Sequence, residues 1–172
     1  TMDFKEIDNL VLIIGKTDGH IDQSLFARTI LDEKNGPPPE VNLFNEKNNG
    51  ESLLNLIEKG YIKSAHDVSL GGIITAISKM SIKGDKGIKI RKSKNLMNEI
   101  EYFFAEDQGR YIIEIKQKDL KEVVKILDKN SVHHEELGVI IDKYMLINEK
   151  TKVTIDELKS YNTLWLTNYM SK

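Results

Sequence analysis

The segment Ser64-Ala65-His66-Asp67-Val68-Ser69-Leu70-Gly71-Gly72 sets an imidazole, a carboxylate, hydroxyls and two glycines between a strand-like run and a helix-like run. A helix starting after such a loop points its first free N–H groups back over the loop, and glycine lets the backbone close on a phosphate. Asp67 could ligate a hard cation such as Mg²⁺. The same residues also read as a plain turn, with Asp67 or Ser69 capping the helix and His66 a half-buried polar side chain.

A second polar group, Phe104-Ala105-Glu106-Asp107-Gln108-Gly109-Arg110, stands immediately before another strand-like run. Two carboxylates, an amide and an arginine within five positions can coordinate metal, orient an amide or a ribose, or clamp a phosphate bidentately. Polar groups just outside strand ends are the usual ligand positions of helix-covered sheets. The competing reading is an internally salt-bridged surface turn in which Gly109 supplies a positive φ. His133-His134-Glu135-Glu136 lacks the i, i+4 pair of a zinc helix, and its adjacent side chains would face opposite ways on a strand. It reads as a solvated turn before a strand, and His20 reads as a loop residue. No Ser-His-Asp arrangement, P-loop or G-x-G-x-x-G occurs.

The elements that must position these groups follow from periodicity. Leu10-Val11-Leu12-Ile13-Ile14, closed by Gly15, is the continuous apolar run of a strand covered on both faces and central in a sheet. Ser24 opens a helical stretch to about Glu33, and Asn35-Gly36-Pro37-Pro38-Pro39 breaks it. Leu53, Leu54, Leu56 and Ile57 sit at helical spacing from Glu51, with Gly60 past the helix end. A strand at 62–65, a loop at 66–72 and a helix at 73–83 follow, the helix carrying Ile73, Ala76, Ile77 and Met80 on one face. Ile88-Lys89-Ile90 is expected as an edge strand, 96–104 as a short helix, and 111–115 as a strand. Asp119 and Glu122 resemble a capping box for a helix bearing Leu120, Val123, Val124 and Leu127. Strands at 137–141 and 144–147 read as a hairpin joined at Asp142-Lys143. Thr154 and Glu157 signal a last helix with Leu158, Tyr161 and Trp165 inward. Strands and helices alternate irregularly, so the fold class is α/β (α+β), a mixed sheet layered with helices, in one domain spanning 1–172.

Composition narrows the chemistry. The chain has 172 residues with 40% hydrophobic and 30% charged, enough to bury one core. Twenty-five Lys and Arg against 27 Asp and Glu leave a formal net charge of −2, which argues against a nucleic-acid surface. The absence of Cys excludes thiolate nucleophiles, disulfides and Cys-bound zinc, and is compatible with a reducing, cytoplasmic location. No stretch is long and apolar enough to span a bilayer, so no membrane partner is expected. The only arginines are Arg28, Arg91 and Arg110, each a fork-shaped donor that lysine does not replace. Met2 preceded by Thr1 suggests the remnant of a tag or a domain cut from a longer protein.

Taken together, the His66 to Gly72 block, the Phe104 to Arg110 block and Leu137-Gly138-Val139-Ile140 are joined by upstream Ile14-Gly15-Lys16-Thr17, Gln23-Ser24 and Pro38-Pro39-Glu40-Val41-Asn42-Leu43. In this order and spacing they resemble the last domain of the phosphoribosylformylglycinamidine synthases, within the aminoimidazole ribonucleotide synthetase superfamily. The resemblance covers residues 8–168. Leu70 stands where that family usually has Asp, and Asp22-Gln23-Ser24 where it has Gly-Gly-Ser.

The resemblance implies the fold of the C-terminal domain of aminoimidazole ribonucleotide synthetase. It also implies a share in an ATP-dependent C–N ligation of purine biosynthesis that uses glutamine as amide donor. The chain looks like the second of two related copies, with the catalytic His and most ATP ligands in sister domains, so the isolated chain is expected to be inactive. In the first copy the Asp matching Asp67 ligates Mg²⁺, and the residues matching Glu106, Asp107 and Gln108 contact substrate. The second copy holds an auxiliary nucleotide in some relatives. On that basis His66, Asp67, Ser69, Gly71 and Gly72 are assigned to ATP/ADP and Asp67 to the metal. Glu106, Asp107, Gln108 and Arg110 are assigned to substrate, and no residue is assigned a catalytic role. No cofactor is expected to be held tightly by this chain alone. The implied partners are the sister domains, a glutaminase subunit and a small nucleotide substrate. Other members of the superfamily, such as selenophosphate synthetase, thiamine-phosphate kinase or a hydrogenase maturation factor, are the alternative, as is a non-catalytic packing module.

Overall fold

The computed structural model describes residues 1–90 and 97–171. Seven strands form one mixed sheet: β1 (Leu10–Ile14), β2 (Ile62–Asp67), β3 (Gly87–Ile90), β4 (Tyr111–Ile115), β5 (His134–Ile141), β6 (Tyr144–Ile147) and β7 (Thr151–Thr154). Their order is β2-β4-β1-β5-β3-β6-β7, and β3–β6 is a parallel pair whereas the other neighbours are antiparallel. The helices are α1 (Leu43–Glu58), α2 (Gly72–Gly84), α3 (Glu99–Phe104), α4 (Leu120–Lys129) and α5 (Ile155–Met170).

Strand β1 shows why the sheet is covered on both sides. All five of its residues are buried, and alternate side chains enter different cores. Leu10, Leu12 and Ile14 meet Leu53 and Leu56 of α1 and Val123 and Leu127 of α4. Val11 and Ile13 join the core of Ile73, Ile77 and Met80 of α2, Phe103 of α3 and Ile155 of α5. The helices thus form a layer on each face, and the expected mixed sheet layered with helices is present.

Several local expectations are corrected. Ile88-Lys89-Ile90 is no edge: β3 lies between β5 and β6, with Ile88 and Ile90 fully buried. Its insertion separates β5 from β6, so those two strands do not pair as a hairpin although Lys143 makes the tight turn between them at φ 48°. A short strand opened by a glycine carries no sign of its neighbours. Helix α1 starts at Leu43 and not near Glu51, because Asn42 caps it through Asn45 N–H, and its first turns offer no apolar stripe to detect. Asp119 makes no side-chain cap to α4; a 3₁₀ turn at Gln117–Asp119 leads into that helix instead. The stretch after Ser24 closes as a π-helical turn at Ala27–Leu31. β7 has no apolar alternation and escaped sequence reasoning. The capping box of Thr154 and Glu157 is formed, but the core does not reach Tyr161 and Trp165, which stay 80% and 66% exposed. Arg91 and the start of the helix expected at 96–104 lie outside the described residues.

Asp85, just past α2, binds both Lys143 of the β5–β6 turn and Lys159 of α5. Hydrogen bonds from those two ammonium groups hold its carboxyl down to about 2. A lowered carboxyl contributes its attraction above the ordinary value near 3.8 and loses it as pH falls toward 2. We expect an NMR titration of the Asp85 carboxyl to have its midpoint near pH 2 in low salt and to move toward 3.8 in 1 M salt, because exposed pairs are screened.

Candidate functional site

The sheet's topology gathers the polar segments at one end. Asp67, at the end of β2, lies opposite Tyr111, the first residue of β4; Tyr111 lies opposite Ile14, and Ile14 opposite His134. The 105–110 turn therefore sits between the end of β2 and the end of β1. His66 and Asp67 belong to β2 and not to the loop after it, and His134 to Glu136 belong to β5 and not to a solvated turn.

Within this end the charged residues first bind the chain itself. The Asp107 carboxylate, buried, accepts the N–H groups of Asp18, Gly19 and His20, each at 3.1 Å. Glu106 Oε1 accepts Leu25 N–H at 2.7 Å and Gly71 N–H at 2.8 Å. The position at the head of α2 where an anionic oxygen was expected is thus taken by this carboxylate. Arg110 is 1% exposed and donates to Thr17 Oγ1, Asp107 O and Ala105 O, with the Asp107 carboxylate 3.7 Å away. Burial pulls the guanidinium's pKa down, opposed first by the charge of Asp107; arginine nevertheless stays protonated. These contacts carry the two strand-end segments and the 17–25 loop as one unit.

Gly71 and Gly72 both have positive φ, at 81° and 69°, and neither Asp67 nor Ser69 caps α2, whose N-cap is Gly71. A Cβ on Gly72 would lie 2.6 Å from Ala105 O and 2.7 Å from Phe103 O. Gly72→Ala should therefore cost about 3 kcal/mol, from backbone strain plus a clash with fixed carbonyls, read as a lower urea midpoint at unchanged m. A change under about 1 kcal/mol would mean the α3 end moves freely.

Asp67 is exposed, as are Ser69 and Gln108. Its partial burial opposes ionisation, but hydrogen bonds from His66 and Ser69 outweigh it and leave the carboxyl below its ordinary value. His66 Nδ1 is 3.0 Å from Asp67 Oδ1, while His66 Nε2 is buried without a partner. No three His, Asp or Glu side chains converge as a cation site among the described residues. Asp67 alone fits the part of one carboxylate ligand, the number a phosphate-bound Mg²⁺ often takes from protein.

A cleft of about 670 Å³ opens beside this unit. Of the residues assigned to ligands from the sequence, Asp107 and Gln108 reach it, and so do His20 and His133, expected as loop and turn residues; His66, Asp67, Ser69, Gly71, Gly72, Glu106 and Arg110 do not line it. Its other wall comes from α1, where Asn42, Asn45, Glu46 and Asn49 recur at spacings of three and four. Asn49 Nδ2 donates to Gly109 O and so ties α1 to the turn. That polar stripe is the signal in the sequence that marks this wall, a helical periodicity carried by amides and a carboxylate and not by apolar residues. Lys16, Asp18, Asp22, Glu40 and Glu101 complete a predominantly acidic lining, in which Lys16 is already paired with Asp18.

Residues 7–147 match the protein family described as AIR synthase related protein, C-terminal domain. The chain is similar to the phosphoribosylformylglycinamidine synthase subunit PurL of Pelagibacter ubique, 66% identical over 170 residues. Those residues are 99% of this chain and 23% of that protein. It is 33% identical over 162 residues to the PurL subunit of Bartonella henselae, covering 94% of this chain and 22% of the relative. The chain thus spans under a quarter of the length of these relatives. In fold it resembles Thermotoga maritima PurL complexed with FGAR, at a TM-score of 0.77 and 19% identity, over 91% of this chain and 28% of that one. The E. coli hydrogenase maturation protein HypE shares the fold more distantly, with a TM-score of 0.64 and 14% identity over 90% of this chain and 51% of that one.

Proposed function

We propose, because the chain belongs to the family of AIR synthase related proteins in their C-terminal domain, that it works as one domain of a phosphoribosylformylglycinamidine synthase. The reaction would be the ATP-dependent amidation of formylglycinamide ribonucleotide, with glutamine as nitrogen source through a glutaminase subunit, in the cytoplasm. The observation that carries this reading is the 66% identity to a PurL subunit along 99% of the chain. Sister domains of the same polypeptide would supply the catalytic groups and most ATP ligands, which leaves this chain inactive alone.

Its own residues suit a supporting part. The carboxylates and amides of the cleft can hold hydroxyl and amino groups of a nucleotide, with Gln108 and Asn45 as amide donors. Their net negative charge disfavours a bare phosphate, so phosphates would have to be met by cations from a neighbouring domain or by Mg²⁺. Asp67, from the opposite side of the turn, would give that Mg²⁺ one oxygen ligand.

The test is a chimera in which this chain replaces the matching 170 residues of the Pelagibacter PurL subunit. Purine-independent growth of an auxotroph, and amidine formation from ammonia or glutamine, are the expected results. A folded chimera without turnover would overturn the reading. In the same chimera, Asp67→Asn should weaken Mg-nucleotide binding by about tenfold, about 1.4 kcal/mol, in a calorimetric titration. Unchanged affinity would remove Asp67 from the metal.

A further inference from the structure

Helix α5 begins as part of the core and ends outside it. Ile155 is fully buried, Leu158 packs on the same core, and Lys159 is tied to Asp85. Beyond that point every residue from 161 to 170 is exposed. At 3.6 residues per turn, the stripe begun by Ile155 and Leu158 continues through Asn162 to Trp165, Leu166 and Tyr169. It is therefore the core-facing side of the helix that runs on uncovered. Trp165 is 66%, Leu166 57%, Tyr169 65% and Met170 74% exposed, and the Trp165 and Tyr169 rings stack at 5.6 Å.

Two further observations describe what fits there. No charged residue occurs from Ser160 to Ser171, so the face offers nothing to a charged partner, and charge-poor, aromatic-rich faces are those of permanent interfaces. The relatives carry more than three quarters of their length outside the region this chain matches. We propose that the 160–170 half of α5 is a docking arm whose Trp165, Leu166 and Tyr169 face seats on an uncharged apolar surface of another domain of the same polypeptide. The inference rests on the reading of the chain as one domain of a longer synthase. It adds the surface through which that domain is held. Leu158 and Ile155 continue the docked face directly into the core of α2, β3 and β6, so the contact would set the orientation of this domain's cleft toward its neighbour.

Hydroxyl-radical footprinting of the chimera, read by mass spectrometry at Trp165 and Met170, tests this directly. The arm as placed here would be oxidised in the native protein at a rate within about twofold of that in denaturant. Docking is expected to slow Trp165 oxidation at least about fivefold. Native and denatured rates within twofold of each other would overturn the proposal. The Trp165→Ser/Tyr169→Ser double variant should restore fast oxidation of Met170 and raise the KM of amidine formation while the chimera's far-UV circular dichroism stays unchanged. Protection that appears only with dimerisation in sedimentation, and disappears with the monomer, would instead make a second copy the occupant and would also overturn it. An active chimera with an exposed arm sinks the docking alone, whereas a protected arm without turnover sinks the synthase reading alone.

Discussion

Arg110→Met is expected to destabilise the protein by about 4 kcal/mol, a large part of the 5–15 kcal/mol by which domains of this kind are stable. Methionine keeps the apolar stem but removes every donor. Thr17 Oγ1 and the carbonyls of Ala105 and Asp107 then lose their hydrogen bonds inside a site where the arginine side chain is fully enclosed. The Asp107 carboxylate retains three backbone N–H groups but loses its cation, and a buried charge without its partner is costly. Lysine should recover only part of this, since one ammonium cannot reach the three acceptors that the planar fork reaches. Urea unfolding of the two variants measures the cost, and a loss under about 1 kcal/mol for methionine would show that water or a rearranged loop replaces the guanidinium. A double-mutant cycle with Asp107→Asn should return a coupling above about 1 kcal/mol, because the two groups share one network. Loop 18–20 is the wall of the cleft that hangs on Asp107, so its amides should exchange faster in the Arg110 variants.

Glu114 carries the second large effect. It is fully buried in β4, and its carboxylate accepts four hydrogen bonds. Oε1 takes Asn9 Nδ2 at 2.7 Å and Glu6 N–H at 3.1 Å; Oε2 takes Lys5 N–H at 2.9 Å and Ser64 Oγ at 2.7 Å. Glutamine has the same shape but only one acceptor oxygen. With its amide nitrogen on the Oε2 side, the Ser64 hydroxyl can turn to accept but Lys5 N–H cannot. On the Oε1 side, Asn9 can flip but Glu6 N–H cannot. Either way one backbone N–H is orphaned, so Glu114→Gln should cost about 2 kcal/mol, and Glu114→Leu, which strands all four donors, about 4 kcal/mol. The amides of Lys5 and Glu6 should lose protection first in hydrogen exchange, since both N–H groups are held by this carboxylate, whereas Asp8 and Asn9 are also bonded to Ile140. Glutamine within about 0.5 kcal/mol of the parent would refute the account.

Both residues show how differently the same chain reads in one dimension and in three. Arg110 was visible as a rare arginine in a polar cluster, and ligand clamping was the natural chemistry to assign to it. Its fork is instead filled by Thr17, far away in sequence, and by two carbonyls of its own turn. Glu114 drew no notice because a lone acid within Tyr111-Ile112-Ile113-Glu114-Ile115 looks like the outward position of an amphipathic strand. Only the arrival of the 5–9 segment and of Ser64 converts that position to an interior one. In the same way the Asn42, Asn45 and Asn49 stripe becomes a cleft wall only once the 107–109 turn is set against it.

What the sequence by itself determined is the material that local physics can read. The unbroken apolar run of β1, the α2 stripe, the capping box of α5 and the motif order that marks the family all depend on residues within a turn or two of one another. What the tertiary structure alone decided is pairing and saturation. β3 slid between β5 and β6, the Glu106 carboxylate took the head of α2, Arg110 became enclosed, and the apolar stripe of α5 outran the core that was expected to cover it. The physical reason is common to all four. A strand's neighbours, a polar group's hydrogen-bond partners and the extent of a covering surface are long-range quantities, and no residue type carries them at its own position.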